Sequence, residues 1–347
     1  MSKACSGLYR SYRLFCLGLI VGYLSGAIPP ALASPAPGRH SSLYCSSMPG
    51  GPPDWVSIDT PHFLIHYTAK DEYFSKELTA LAEKSYALVT DHLDLHPTKK
   101  ITIYLACSRE LFTQLQPSPS PISDQAIGLA YPGLSRILLL SPRAASAGSI
   151  QLEKTFVHEL THIILGSIFS SKPSVSIPQW FNEGLSMHEA EEWNWHYEAL
   201  MTRICITRTL IPLRQLEYSF PTDPDQLQTA YAQSISMISF ILDKYGQNSL
   251  RKITRLLLQG DTIDQAMSNA IGIELNELEI RWRKHMLRLY TWVPILTSSA
   301  VLWFIISLIF LLVYYRKRRM SLAIISEWEE DDIEEWLRKQ LDDLDEL

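Results

Sequence analysis

The stretch TFVHELTHIILGS, residues 155–167, constrains this chain more than any other. It lies in a run from Gln151 to Phe169 that has no proline and one late glycine, Gly166. Such a run predicts a helix, and its apolar flanks predict that the helix is buried. Three polar groups nevertheless sit in its middle. Burying two imidazoles and a carboxylate without partners costs several kcal/mol. His158 and His162 are four residues apart, so they lie one turn above the other on one helix face and can reach a single metal ion. Glu159 is turned by about 100° around the axis, so it borders such an ion. H-E-x-x-H is the pattern of zinc hydrolases, with two ligands and a general base. The competing reading is a pair of hydrogen-bonded core histidines, and the cost of burial weighs against it.

A catalytic zinc needs a third protein ligand and a position open to water. The metzincin extension is absent: Gly166 falls one place late, and Ile168 stands where a histidine is required. After the turn-rich linker SSKPSVSIP, residues 170–178, the segment QWFNEGLSMHEAEEW begins a second helix. Glu183 lies there among Trp180, Phe181 and Leu185. A glutamate in that setting needs a cation, and antiparallel packing of the two helices brings it to the histidine face. Glu189, Glu191 and Glu192 read as a solvated helix face. An acid one turn after Glu183 would orient a ligand histidine, but Met187 is there, so this orienting partner is unassigned. His188, His62, His66, His196 and His285 lack ligand spacing and read as ordinary histidines.

The ends of the 347-residue chain obey different rules. Residues 1–33 have a basic start, an apolar middle and an ALA site before Ser34, the plan of a secretory signal peptide, with an uncleaved N-terminal anchor as the other reading. Residues 34–54 form a flexible leader rich in Pro, Gly and Ser. From Leu289 to Tyr315 no residue is charged, which is ample to cross a bilayer of about 30 Å. The sequence Arg316-Lys317-Arg318-Arg319 follows directly. Positive charge stays cytoplasmic, so the expected topology is a single span at 291–315 in the plasma membrane. Residues 55–290 then form an extracytoplasmic domain, and 316–347 a cytoplasmic acidic tail. In that tail Ile333, Trp336, Leu337, Leu341 and Leu344 repeat at helical spacing. They make either a helix that docks on a cytoplasmic protein partner or an inert solvated end. Cys45, Cys107 and Cys205 remain after the signal and allow at most one internal disulfide, with no pair favoured. The net charge of −6 gives no reason to expect nucleic acid as a partner.

Within the exported part, HFLIHYT at 62–68, KITIYLA at 100–106 and RILLLS at 136–141 predict strands. Residues 72–93 predict an amphipathic helix with Phe74, Leu78, Leu81, Ser85, Leu88 and Val89 inward. Beyond residue 150 the signals are almost all helical. The order predicts an α+β fold. The strand RILLL could pair with an extended peptide.

HELTH, then WFNEG about twenty residues on, then AYAQSISMISFILDKYG resembles the peptidase MA-like domains of the gluzincin clan. The resemblance covers roughly residues 56–285, and the late helical pieces at 245–272 and 275–286 share it. It implies a thermolysin-like mixed sheet beside an H-E-x-x-H helix, followed by a helical half that supplies the glutamate. It also implies one zinc ion, Zn2+, on His158, His162 and Glu183. Tyr231 falls where the zinc aminopeptidases of this clan carry an oxyanion-binding tyrosine; a packed helix aromatic is the other reading. The G-A-M-E-N signature that grips a free amino terminus is not found, which points to an endopeptidase. The reaction so implied is hydrolysis of a peptide or protein substrate, with zinc activating water and Glu159 carrying the proton. Two other classes stay open: a non-catalytic zinc-stapled binding module, and a zinc hydrolase of non-peptide amides.

Overall fold

The computed structural model describes residues 54–117, 126–145, 149–169, 177–292 and 302–321, with Ile333 and Trp336. The expected signal peptide, nearly all of the leader and most of the acidic tail lie outside these residues. The described residues divide into two units, one containing those from 54 to 291 and the other those from 292 onward.

The first unit begins with a hairpin, β1 (Trp55–Asp59) and β2 (Phe63–Thr68). Helix α1 (Glu72–Leu93) then crosses over to β3 (Ile101–Ala106), which pairs parallel with β2, as a crossover of this length permits. A short helix α2 (Arg109–Gln114) precedes β4 (Gly128–Tyr131) and β5 (Arg136–Leu140). The sheet order is β1-β2-β3-β5-β4, with β5 parallel to β3 and β4 antiparallel to β5. A turn of helix, α3 (Pro142–Ala145), leads to α4 (Ser149–Phe169), and α5 (Gln179–Glu189) follows. The rest is helical: α6 (Trp195–Thr207), α7 (Pro224–Tyr245), α8 (Gln247–Gln259), α9 (Ile263–Ile271) and α10 (Leu275–Leu287).

The period of two in the strands explains the layering. Phe63 and Ile65 of β2, Ile101 and Ile103 of β3, and Ile137 and Leu139 of β5 are fully buried in one core with α1 and α4. Each such side chain stabilises the fold by about 1.5–3 kcal/mol relative to exposure. The inward stripe of α1 is Leu78, Ala82, Ser85, Tyr86 and Val89, and Leu88, expected inside, is 50% exposed. Tyr86, not expected inside, is buried: its ring packs on His62 and Phe63 and its hydroxyl donates to the Pro97 carbonyl.

The α+β order is as expected, and the three expected strands are present. Two strands were not foreseen, β1 and β4. β4 places RILLL in the interior of the sheet, hydrogen-bonded on both sides, so it cannot be the strand that receives a peptide. The edge on that side is β4. Cys205 is free and buried, whereas Cys107, just after β3, is disulfide-bonded.

In the second unit, residues 302–321 are helical, and every one is exposed, including Trp303, Phe304 and Phe310. Among the described residues no helix is long and apolar enough to cross a membrane. Residues 293–301, the first half of the expected span, lie outside the description.

Candidate metal centre

Helix α4 carries His158 and His162, and α5 packs beside it with Glu183. The approach of α5 is set by Gly184. A Cβ there would lie 2.5 Å from the carbonyl oxygen of Ser234 in α7, so any side chain would push α5 off α7. Glu183, next in the chain, is 9% exposed. Its Oε1 accepts from Gln179 Nε2 at 2.8 Å. Its Oε2 faces both histidines, 3.6 Å from His158 Nε2 and 3.7 Å from His162 Nε2. The two Nε2 atoms are 3.1 Å apart.

These three atoms pass a test for a metal on two grounds. A triangle with sides of 3.1, 3.6 and 3.7 Å has a centre about 2.0 Å from every corner, which is the bond length zinc makes to imidazole nitrogen and carboxylate oxygen. The second ground is the tautomer. His158 Nδ1 lies 2.9 Å from Glu192 Oε1, and an ionised carboxylate only accepts, so Nδ1–H donates. His162 Nδ1 has Asn182 Oδ1 at 3.1 Å as its acceptor, with Ser186 Oγ at 3.2 Å. Both Nε2 atoms are then left with lone pairs aimed at each other and at a carboxylate oxygen, an arrangement that needs a cation at its centre.

The electrostatics say the same. Burial opposes charge on His158, yet hydrogen bonds to Glu183 and Glu192 override it and hold the imidazolium up to about 10. Burial likewise works against ionised Glu183, but hydrogen bonds to His158 and His162 hold its carboxyl well below the ordinary range. Without a metal, a proton is the cation.

Glu159 lies beside this group. Burial raises its carboxyl above the ordinary value, with the imidazoles opposing and Glu183 and Glu192 adding to the rise. It fits because residue 128, at the start of edge strand β4, is glycine: a Cβ there would be 3.0 Å from Glu159 Oε1 and would collide with Thr155. Tyr131, at the other end of β4, is raised by burial and then by the Glu159 charge. Tyr231 on α7 packs edge-on against Phe220 and is raised by burial, then by Glu183, with Glu192 and Glu159 further contributors. It lies one turn before Ser234, which packs on Gly184 beside Glu183, and among the described residues its hydroxyl has no hydrogen bond.

Sequence reasoning missed Asn182 and Glu192, which bond the two imidazoles, and misread the acids at 189–192. Glu192 is not part of a solvated face, because it bonds His158. Glu189 is not either; its side chain is 5% exposed and bonds His92 Nδ1 at 2.9 Å. Tyr197 on α6 is pushed up to about 12 by burial and by Glu192. The signal for Glu192 is a turn. Glu191 adopts the left-handed conformation, φ 51°, and the Glu192 N–H donates to Met187. This helix stop normally uses glycine, and it turns Glu192 back to α4. His188 is not in the metal-binding group, while His62 and His66 bond Glu83 and Ser57.

Replacing Glu192 with Ala is expected to weaken metal binding by about 10- to 100-fold, as removal of an orienting partner does. Competition with a chromogenic chelator measures this, and unchanged affinity would remove Glu192 from the centre.

The model of the peptidase MA superfamily matches residues 82–288, from the middle of α1 to the end of α10, and the chain belongs to that superfamily. The match spans both metal segments and supports a peptidase, hence a hydrolase. No curated protein matches the chain.

Proposed function

We propose that this protein is a zinc-dependent metallopeptidase of the gluzincin type that hydrolyses internal peptide bonds. The observation that carries the reading is the convergence of His158 Nε2, His162 Nε2 and Glu183 Oε2 on one point, with the Glu159 carboxyl beside it. When bound there, zinc supplies a Lewis acid that polarises the scissile carbonyl and acidifies a water molecule. Glu159 accepts the proton of the attacking water and returns it to the leaving amine. Glu192 and Asn182 hold the two imidazoles in the tautomer that directs Nε2 inward. Tyr231 stays protonated at any working pH, so it is a hydrogen-bond donor for the developing oxyanion. The substrate strand pairs along β4, whose first residue touches Glu159, and not along β5.

A structural zinc staple has no need of a buried carboxylate next to its ligands, and Glu159 is the feature that favours the enzyme. A purified full-length chain loaded with zinc is expected to cleave members of an end-blocked peptide library, to lose that activity to a chelator and to regain it with zinc. Cleavage that persists after complete metal removal would overturn the reading.

We further propose a plasma-membrane protein with one span at 291–315, its peptidase domain outside and its tail inside. The fully exposed apolar helix at 302–315 followed by Arg316–Arg319 supports this, as does the disulfide on Cys107, a bond of oxidising compartments. Protease added to intact cells, or to spheroplasts, is expected to remove the domain and spare a C-terminal tag. Loss of the tag from outside reverses the topology.

A further inference from the structure

A cavity of about 780 Å³ opens between the C-terminal end of α6, the loop at 209–221 and the start of α7. Its floor is apolar, from Ile204, Ile211, Leu216 and Phe220, and Arg203 and Asp225 stand among its polar lining residues. The reaction proposed above makes no use of it.

Its wall is built. The side-chain amide of Gln233, fully buried on α7, both donates to the Ile211 carbonyl and accepts from the Ile211 N–H, each at 2.8 Å, as a strand partner would. Glu279 accepts from Leu213 N–H, and Arg214 pairs with Asp264 at 2.6 Å. The loop is therefore fixed before any ligand arrives, which lowers the ordering cost of binding.

Two walls join the cavity to the metal centre. Phe220 lines the cavity and packs on Tyr231, with ring centroids 5.1 Å apart at 77°. Along α6, Ile204 in the cavity lies seven residues after Tyr197, whose phenol feels Glu192. Two helical turns put them on one stripe of α6.

We infer that this cavity is a specificity subsite of the same peptidase, taking an apolar or aromatic side chain that does not flank the scissile bond directly. The inference rests on the peptidase reading for its substrate class. The volume admits more than one large side chain, and the opposed charges of Arg203 and Asp225 give the site no net preference for a charged residue.

The test uses the full-length chain and two substitutions that fill the cavity from opposite walls, Thr209→Trp and Gln226→Trp. The probes are end-blocked octapeptides with Phe or Asp scanned through the positions that do not flank the cleaved bond, and tetrapeptides that end short of the cavity. The wild type is expected to favour the Phe octapeptide, mainly through KM. Both filled variants are expected to lose at least tenfold of the preference for that octapeptide over the tetrapeptides. Undiminished preference in both overturns the subsite. Anisotropy of a fluorescein-labelled Phe octapeptide separates the two proposals. If the wild type cleaves nothing yet binds the peptide, and the filled variants do not, the peptidase reading fails and the cavity remains a binding pocket for an apolar side chain. If the wild type neither cleaves nor binds, both fall.

Discussion

Glu159→Gln is expected to retain bound zinc and the melting temperature of the wild type while kcat falls by about 10² to 10⁴, the usual contribution of a general base. The substitution is nearly isosteric, so it preserves the packing against Gly128 and Thr155. It removes only the ability to hold and release a proton at Oε1. Metal content and turnover must be measured on the same sample, because the prediction is a dissociation of the two. Wild-type turnover with full zinc assigns the proton transfer elsewhere. Loss of zinc together with activity would make Glu159 a structural partner of the centre.

The second large effect is Glu183→Gln. The amide keeps the volume and still accepts at one atom, but it carries no charge to balance the cation, and the carboxylate charge now set between two imidazoles disappears. Metal ligands here are few, and a site that loses one of three protein ligands is expected to lose zinc affinity by at least 10²-fold. The variant should fold, since Gln179 can still pair with residue 183 and Gly184 still seats α5 on α7. Zinc affinity equal to wild type would remove Glu183 from the ligand set.

The parts of this site that were legible in the sequence are those set by local periodicity. His158 and His162 share a face because of their spacing, and Glu183 announces itself as an acid among Trp180, Phe181 and Leu185, two of them fully buried aromatics. The strands at 63–68, 101–106 and 136–140 are legible from β-branched and apolar runs. What escaped depends on geometry that no window of sequence carries. Glu192 looks like one acid in a charged run until the left-handed turn at Glu191 redirects it to His158. Tyr197 sits on a different helix, and its approach to Glu192 is a matter of tertiary packing. β4 has four residues and starts with glycine, which lowers its strand signal, and the same glycine is what admits Glu159. RILLL looks like an edge only while β4 is unseen. Leu88 shows the same limit on α1, where the buried face takes Tyr86 and Val89 and leaves Leu88 outside.

The most direct measurement of the central claim is the zinc K-edge absorption spectrum of the zinc-loaded full-length chain. With His158, His162 and Glu183 as ligands, the expected result is a shell of nitrogen and oxygen at about 2.0–2.1 Å, the outer-shell pattern of two imidazoles, and no sulfur. Glu183→Gln should alter the first shell and leave both imidazoles. A sulfur contribution at about 2.3 Å, or the pattern of fewer than two imidazoles, would contradict the site.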